Sequence, residues 1–214
     1  MENLHDRRKV YEKAELLESQ MQQSPFEMFK IWLKDAENDV PEVEANAMDV
    51  STVDPDGCPR TRIVLLKEYS EEGFVFYTNY NSKKGIAIEH NPKACLHFFW
   101  PSLERQVTIK AVLEKTSAEN SDQYFHSRPR GSQIGAVVSP QSSIIPNRDF
   151  LEEKLVETER LFENKEVERP LHWGGYLAKP YEIEFWQGRP NRLHDRIVYS
   201  KTEDGSWILE RLAP

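Results

Sequence analysis

Apolar residues along the chain fall into short runs whose period changes several times. Ser24-Pro25 starts a helix, with proline at the first helical position, and Phe26, Phe29, Ile31, Trp32 and Leu33 supply its apolar stripe to about residue 36. After Pro41 the period shortens. Residues 45–53 read as a strand, Asp54-Pro55-Asp56-Gly57 as a turn, and residues 60–67 as the next strand. Glu71-Glu72-Gly73 turns the chain into a strand over 74–78. Lys83 to Glu89 is a short helix stopped by Asn91-Pro92, and 94–100 is another strand. The clearest alternation lies in 104–115, where Val107, Ile109, Ala111 and Leu113 interleave with Gln106, Thr108 and Lys110. Ser117 caps a helix running to Ser127, before Pro129. Residues 131–147, rich in Ser, Gln and Pro, read as loop. Residues 149–165 read as a helix with Leu151, Leu155, Thr158 and Phe162 on one side, and strands follow near 174–178, 181–187, 193–200 and 206–211. Residues 1–23 read as a polar helix or a partly mobile arm that orders late, ahead of a single domain over 24–214. Seven or eight short strands joined mostly by tight turns, with helices at the margins, predict a mainly β fold with peripheral helices: an antiparallel barrel.

Length and charge refine this picture. The chain has 214 residues, enough for one full domain and too few for two ordinary ones. Its formal net charge is −8, a poor match for nucleic acid or an anionic membrane surface. The acidity is local, however. Residues 11–44 and 149–168 hold 17 of the 36 acids but only 6 of the 28 bases, so the rest of the chain carries a small positive excess that suits a small anion. Cys58 and Cys95 make no disulfide framework, and no CxxC or Cys/His cluster suggests zinc. No GxGxxG or GxxxxGK[ST] supports a Rossmann or P-loop reading. Without a signal-peptide pattern or an apolar run near 20 residues, a soluble, reduced, cytoplasmic protein is expected.

Several segments carry candidate chemistry, each with a plainer alternative. In Arg192-Leu193-His194-Asp195-Arg196, a strand would put Arg192, His194 and Arg196 on one face, either around an anion or an electron-rich ring, or as the solvated face of an edge strand. Trp186 nearby offers a floor for a planar ligand. Arg62 and Lys67 bracket an apolar run, on opposite faces by strand parity. They are ligand groups or solvated strand ends. Lys83 and Lys84 at a helix start are unfavourable there unless an anion offsets them; the alternative is an ordinary turn. Tyr124 and Arg128, four apart, with Ser132 close behind, suit a phosphate monoester, though such pairs adorn many helices. Gln106, Gln141 and Ser142 can read the edge of a heterocycle or simply face water. Cys58, in an exposed turn without a nearby His, is no candidate nucleophile.

Nine stretches taken in order resemble the pyridoxamine 5′-phosphate oxidase family: RIVLLK (62–67), GFVFYTNYNSKKG (73–85), LERQV (103–107), YFHSRPRGSQIGA (124–136), QSS (141–143), WGGY (173–176), EFWQG (184–188), RLHDRI (192–197) and RLAP (211–214). The resemblance covers roughly residues 25–214. It implies an FMN-binding split barrel and a homodimer with FMN sites at the subunit interface, one FMN per subunit, held non-covalently. By position, Arg62, Lys83 and Lys84 resemble the FMN phosphate ligands, and Val64, Leu65, Lys67, Tyr77 and Thr78 further cofactor-site residues. Gln106, Gln141, Ser142, Trp186 and Arg196 resemble contacts to the ring system or ribityl chain. Lys67, Tyr124, Arg128 and Ser132 resemble the substrate-phosphate pocket. Arg192 and His194 resemble the catalytic residues over the pyridine ring, and Arg8 and Tyr11 an arm that closes on the substrate. The implied reaction oxidises pyridoxamine or pyridoxine 5′-phosphate at C4′ to pyridoxal 5′-phosphate, the last step of vitamin B6 cofactor synthesis and salvage. O2 is the acceptor, and H2O2 and, from the amine, NH3 are the products. The chain departs from the family at Ala14 and Glu15, where many members have two glycines, at Lys83, where Arg often occurs, and at Val137, where some have Trp. The rivals are a split-barrel flavoprotein of other specificity and a module that only stores flavin or pyridoxal phosphate.

Overall fold

A computed structural model describes residues 3–214. The strands are β1 (Ala47–Val53), β2 (Pro59–Leu65), β3 (Glu68–Ser70), β4 (Gly73–Asn79), β5 (Lys93–Trp100), β6 (Arg105–Lys115), β7 (Trp173–Gln187), β8 (Asp195–Lys201) and β9 (Trp207–Leu212). The helices are α1 (Pro25–Asp39), α2 (Lys83–His90), α3 (Ala118–Ser127), α4 (Arg130–Val138) and α5 (Asp149–Leu161). Strands are hydrogen-bonded in the order β2-β1-β5-β6-β7-β4-β3, with β8 paired to β7 and β9 to β8. Two compact units emerge. One comprises the chain through Val50, Cys95–Ala111 and Pro180–Pro214; the other comprises Ser51–Ala94 and Val112–Lys179.

The first unit has an aromatic core. Ser24 caps α1 by accepting from the Phe26 N–H at 3.2 Å, and α1 buries Phe26, Phe29, Trp32 and Leu33. Phe29 meets Phe98 at 5.1 Å, and Trp32 meets Phe185 edge-on at 5.2 Å. Each such ring contributes ~1.5–3 kcal/mol by leaving water. Phe185 pairs across the ladder with Ile197, and Val198 with Glu210, so β7, β8 and β9 form an antiparallel meander.

The second unit is built on β4, which pairs with β7 from Phe74 opposite Ala178 to Asn79 opposite Trp173. Phe125, Ile134, Val167 and Trp173 form a small buried cluster, with Tyr77 and Tyr124 against it. Ser82 caps α2 by accepting from the Gly85 N–H at 3.3 Å.

Four expectations need correction. Residues 130–138 are helical, not loop: Ile134 is buried and gives the segment a core-facing residue despite its Ser, Gln and Gly content. The strands expected at 174–178 and 181–187 are one strand. The β4 register ends at Ala178 and the β8 register begins at Glu182, so Pro180 lies in the gap between these two ladders. The strand expected from residue 193 starts at Asp195, because Asn191 and Arg192 take positive φ (58° and 63°) in a 3₁₀ turn. Residues 3–23 hold a turn at His5–Asp6, closed by the Arg7 N–H on the Leu4 carbonyl, and a 3₁₀ turn at Glu18–Gln20, but no α-helix, so the polar-helix alternative for residues 1–23 fails among the described residues.

Gly85 has no room for a side chain: a Cβ there runs into the carbonyl of Tyr80. Gly85→Ala must push the first turn of α2 away from β4. The expected cost is about 1–3 kcal/mol, typical of overpacking, measured as a lowered urea midpoint with unchanged m.

Candidate active site

The second unit contains a cavity of about 1020 Å³. Its wall carries Arg60, Arg62, Lys67, Lys83, Lys84 and Arg128 and no carboxylate. Thirteen of the residues singled out from the sequence line it: Arg62, Val64, Leu65, Lys67, Tyr77, Thr78, Lys83, Lys84, Tyr124, Arg128, Ser132, Gln141 and Ser142.

Local structure explains how they meet. Arg62 lies on β2, and its Nη1 donates to Thr52 Oγ1 at 2.9 Å. Lys67 lies beyond the end of β2, its N–H donating to the Val75 carbonyl at 2.8 Å. Strand parity therefore no longer separates it from Arg62, and both line one cavity. Arg60 is compensated by Asp54 at 2.7 Å. Lys84, on the first turn of α2, is turned inward. Its Nζ donates to Thr78 Oγ1 at 2.9 Å, Gln141 Oε1 at 3.0 Å and Ser82 Oγ at 3.4 Å. All three acceptors are neutral. Burial first, and the neighbouring Arg62 second, pull the amine down to about 8.

The opposite part of the wall is aromatic. Tyr77 stacks on Tyr124 at 3.9 Å and on Trp173 at 5.7 Å, while its hydroxyl donates to Glu68 Oε1 at 2.8 Å. Burial, with Glu68 second, raises the Tyr77 phenol, so it stays a neutral donor. The Arg128 guanidinium sits over the Trp173 ring at 4.6 Å. Its Nη1 is buried without a hydrogen-bond partner, and burial lowers its pKa. A buried donor left over in this way costs stability until an acceptor reaches it. Cations, an orphan guanidinium nitrogen, hydroxyls and flat aromatic surface together fit a phosphorylated aromatic molecule.

The remaining candidates lie in the first unit. Trp186 and His194 are 4.6 Å apart, and Tyr11 meets Trp186 edge-on at 5.8 Å and His194 at 5.9 Å. The Arg189 N–H donates to His194 Nδ1 at 3.0 Å. Burial, then Arg192, lowers the imidazole pKa against the opposing pull of Asp195. Arg196 is gripped by Glu184 at 2.7 and 2.9 Å and donates to the Ala213 carbonyl at 3.1 Å. Gln106 meets His97 Nε2 at 3.0 Å, and Arg8 donates to the His5 carbonyl at 3.2 Å. Arg192 and His194 precede β8, so they do not share a strand face with Arg196.

Sequence reasoning passed over Trp173 and Glu68. Trp173 stood in the WGGY stretch and was readable as an aromatic wall. Glu68 follows Lys67 and had no distinguishing signal. No group of three or more potential metal-ligating side chains occurs among the described residues. None of their helices is long and apolar enough to cross a membrane.

Comparison with known proteins agrees with this geometry. Residues 33–162 match the family described as pyridoxamine 5′-phosphate oxidase, and residues 173–214 match the pyridoxine 5′-phosphate oxidase C-terminal dimerisation region. The pyridoxine/pyridoxamine 5′-phosphate oxidase of Flavobacterium johnsoniae is 56% identical, with all of both chains covered. That of Pseudomonas paraeruginosa is 50% identical over all of this chain and 99% of its own. Among solved structures, PhzG from Burkholderia lata, in complex with tetrahydrophenazine-1-carboxylic acid, has a TM-score of 0.86 at 23% identity. The match covers 95% of this chain and all of that one. A pyridoxamine 5′-phosphate oxidase-related, FMN binding protein from Nostoc punctiforme has a TM-score of 0.71 at 16% identity, covering 91% of this chain and all of that one. These two likenesses establish the fold, a mainly antiparallel split barrel, as the strand pattern predicts. With full-length relatives at half identity or better and a family match across more than half its length, the chain belongs to the pyridoxamine 5′-phosphate oxidase family.

Proposed function

We propose that the protein oxidises pyridoxamine 5′-phosphate and pyridoxine 5′-phosphate to pyridoxal 5′-phosphate, with one non-covalent FMN per subunit. O2 is the final acceptor, and H2O2 and, from the amine, NH3 are the products. The observation that carries this reading is the cavity wall of six cationic side chains without a carboxylate, closed on one side by stacked aromatics. Membership of the family supports the rest, and the match of residues 173–214 to a dimerisation region supports a homodimer with its FMN sites at the subunit interface.

The residues fit FMN. Arg62, Lys83 and Lys84 would hold its phosphate, and Tyr77 and Thr78 would border the flavin. Val64 and Leu65 would serve through their backbone: β2 ends the strand order, so one edge carries unpaired N–H and C=O groups that can meet an alternating heterocycle. Gln106, Gln141, Ser142, Trp186 and Arg196 are assigned to the ring system or ribityl chain. FMN supplies the hydride-accepting and oxygen-reactive chemistry when bound.

The chain's own groups bind, orient and hold protons. Lys67, Tyr124, Arg128 and Ser132 are assigned to the substrate phosphate, where Arg128 Nη1 would gain its missing acceptor. Anchoring the phosphate away from the reacting carbon converts binding into orientation. Arg192 contributes a fixed positive charge near the pyridine ring. His194 has a narrower role than its type suggests. Its Nδ1 is occupied as an acceptor by the Arg189 N–H, so the neutral ring carries its proton on Nε2. The depressed pKa keeps that form at neutral pH, and His194 acts as a donor that orients substrate. Arg8 and Tyr11 are assigned to the arm that covers the substrate.

The direct test is anaerobic titration of the FMN-loaded protein with pyridoxamine 5′-phosphate, following the visible flavin bands. Bleaching that reverses in air is expected. Bands that persist at saturation would leave a flavoprotein of another specificity.

Two further outcomes follow from the proton assignments. A donor role for His194 predicts that His194→Gln, which keeps a neutral N–H, retains turnover within about tenfold, whereas His194→Leu loses on the order of 10²-fold. Equal losses would point to proton acceptance instead. For Lys84, the pKa of about 8 means that the FMN-free protein loses this charge above pH 8, and phosphate binding must then restore it. FMN affinity is expected to fall above pH 8 with a limiting slope of about one decade per pH unit. Lys84→Met should bind more weakly at pH 7 and lose that slope, as read by quenching of flavin fluorescence.

A further inference from the structure

Glu104 lies in the turn between β5 and β6, within the LERQV stretch, and the reaction described above gives it no role. Only 2% of its surface is exposed, and its φ is +57°, a left-handed conformation that ordinarily favours glycine. Oε2 accepts from the backbone N–H groups of Glu12 at 2.9 Å and Lys13 at 3.1 Å, and Oε1 faces Lys9 Nζ at 3.2 Å. The same residue's carbonyl accepts from the Gly188 N–H at 2.8 Å and from Gln187 Nε2 at 3.2 Å. One residue therefore holds two strands of chain: the arm at residues 12–13 through its side chain, and the exit of β7 through its backbone.

Tyr11 is adjacent to both attachments. It precedes Glu12, and its Cβ lies where Gly188 leaves space; a Cβ built on Gly188 would stand 2.9 Å from that of Tyr11. Its ring meets Trp186 and His194. Farther along the arm, the Leu16 N–H donates to Asp195 Oδ2 at 3.0 Å and Glu15 pairs with Arg189 at 3.1 Å. These fasteners use more exposed carboxylates and hold the arm four and five residues beyond Tyr11.

We propose that Glu104 is a positioning residue for substrate binding: a buried clasp that grips the arm by its backbone and so sets Tyr11 against Trp186 and His194. The proposal rests on the reading that Tyr11 meets the substrate. A carboxylate is suited to the task. One oxygen takes two N–H groups and the other takes an ammonium, and charged acceptors bind such donors more strongly than neutral ones. An amide turns an NH2 toward either the arm or Lys9, opposing donor to donor. Glycine removes the clasp while relieving the left-handed backbone.

The test uses the full-length, FMN-loaded protein and the variants Glu104→Gly, Glu104→Gln, Tyr11→Ala and Glu104→Gly/Tyr11→Ala. Trypsin cleavage after Lys9 and Lys13, followed by mass spectrometry, reads the arm without reference to activity. Glu104→Gly is expected to speed cleavage about tenfold and to raise KM for pyridoxamine 5′-phosphate about tenfold, with a smaller effect on kcat. Glu104→Gln falls between, and it carries the same test if the glycine variant melts below the assay temperature. In the double variant KM should match that of Tyr11→Ala alone, because the clasp acts through that ring. Unchanged arm cleavage overturns the clasp. Faster cleavage with unchanged KM, where Tyr11→Ala raises KM, overturns the positioning role. If Tyr11→Ala itself leaves KM unchanged, the assignment of Tyr11 to the substrate fails instead.

Discussion

Positive charges gathered around one cavity repel one another, and how the fold tolerates them governs the rest of the second unit. The wall holds six cationic side chains and no carboxylate. An acid among them would relieve the repulsion and destroy the site, since it would compete with any anion. Neutral oxygens take its place. Thr78, Ser82 and Gln141 surround the Lys84 amine, and Thr52 holds Arg62. Arg60, at the strand start, is paired with the Asp54 carboxylate. The cost of this arrangement shows in the lowered pKa values of Lys84, Arg62 and Arg128, all caused chiefly by burial. The site stores unfavourable electrostatics that an anionic ligand relieves.

The first unit handles its ionic groups in the opposite way. Glu184 binds Arg196 through two bonds, Asp195 is shared by Arg189 and Arg211, and Glu104 takes the arm. Paired charges in this unit fix geometry. His194 sits among them with its Nδ1 already occupied, so its chemistry is decided by a backbone N–H and not by a carboxylate partner.

Much of the fold was legible because local and global signals agree. The alternation of 105–115 and the Ser-Pro start of α1 lie where the sequence pattern puts them. What was not legible depended on tertiary context. The Ser/Gln/Gly content of 130–138 hides a helix that needs only Ile134 buried to be anchored. Pro180 argues against a continuous strand unless the ladders are known to change on either side of it. Parity put Lys67 opposite Arg62 because the end of β2 at Leu65 is invisible in an apolar run that continues to Leu66. For the site, the family resemblance pointed to 13 residues that line the cavity, Val64 and Leu65 among them, whereas residue type by itself left Arg62, Lys83, Lys84, Tyr124 and Arg128 open to a solvated reading. Glu68 and Glu104 escaped notice because each acts on another residue, and sequence carries no trace of such second-hand roles.

Trp173 gives the cavity an optical property of its own. The indole is buried in the wall, with the Arg128 guanidinium over its face and Tyr77 and Tyr124 stacked alongside. Any anion that engages Arg128 changes the electric field across that ring. Trp32 and Trp100 belong to the core of the first unit. The emission of Trp173 is thus a built-in, label-free gauge of whether the guanidinium is occupied.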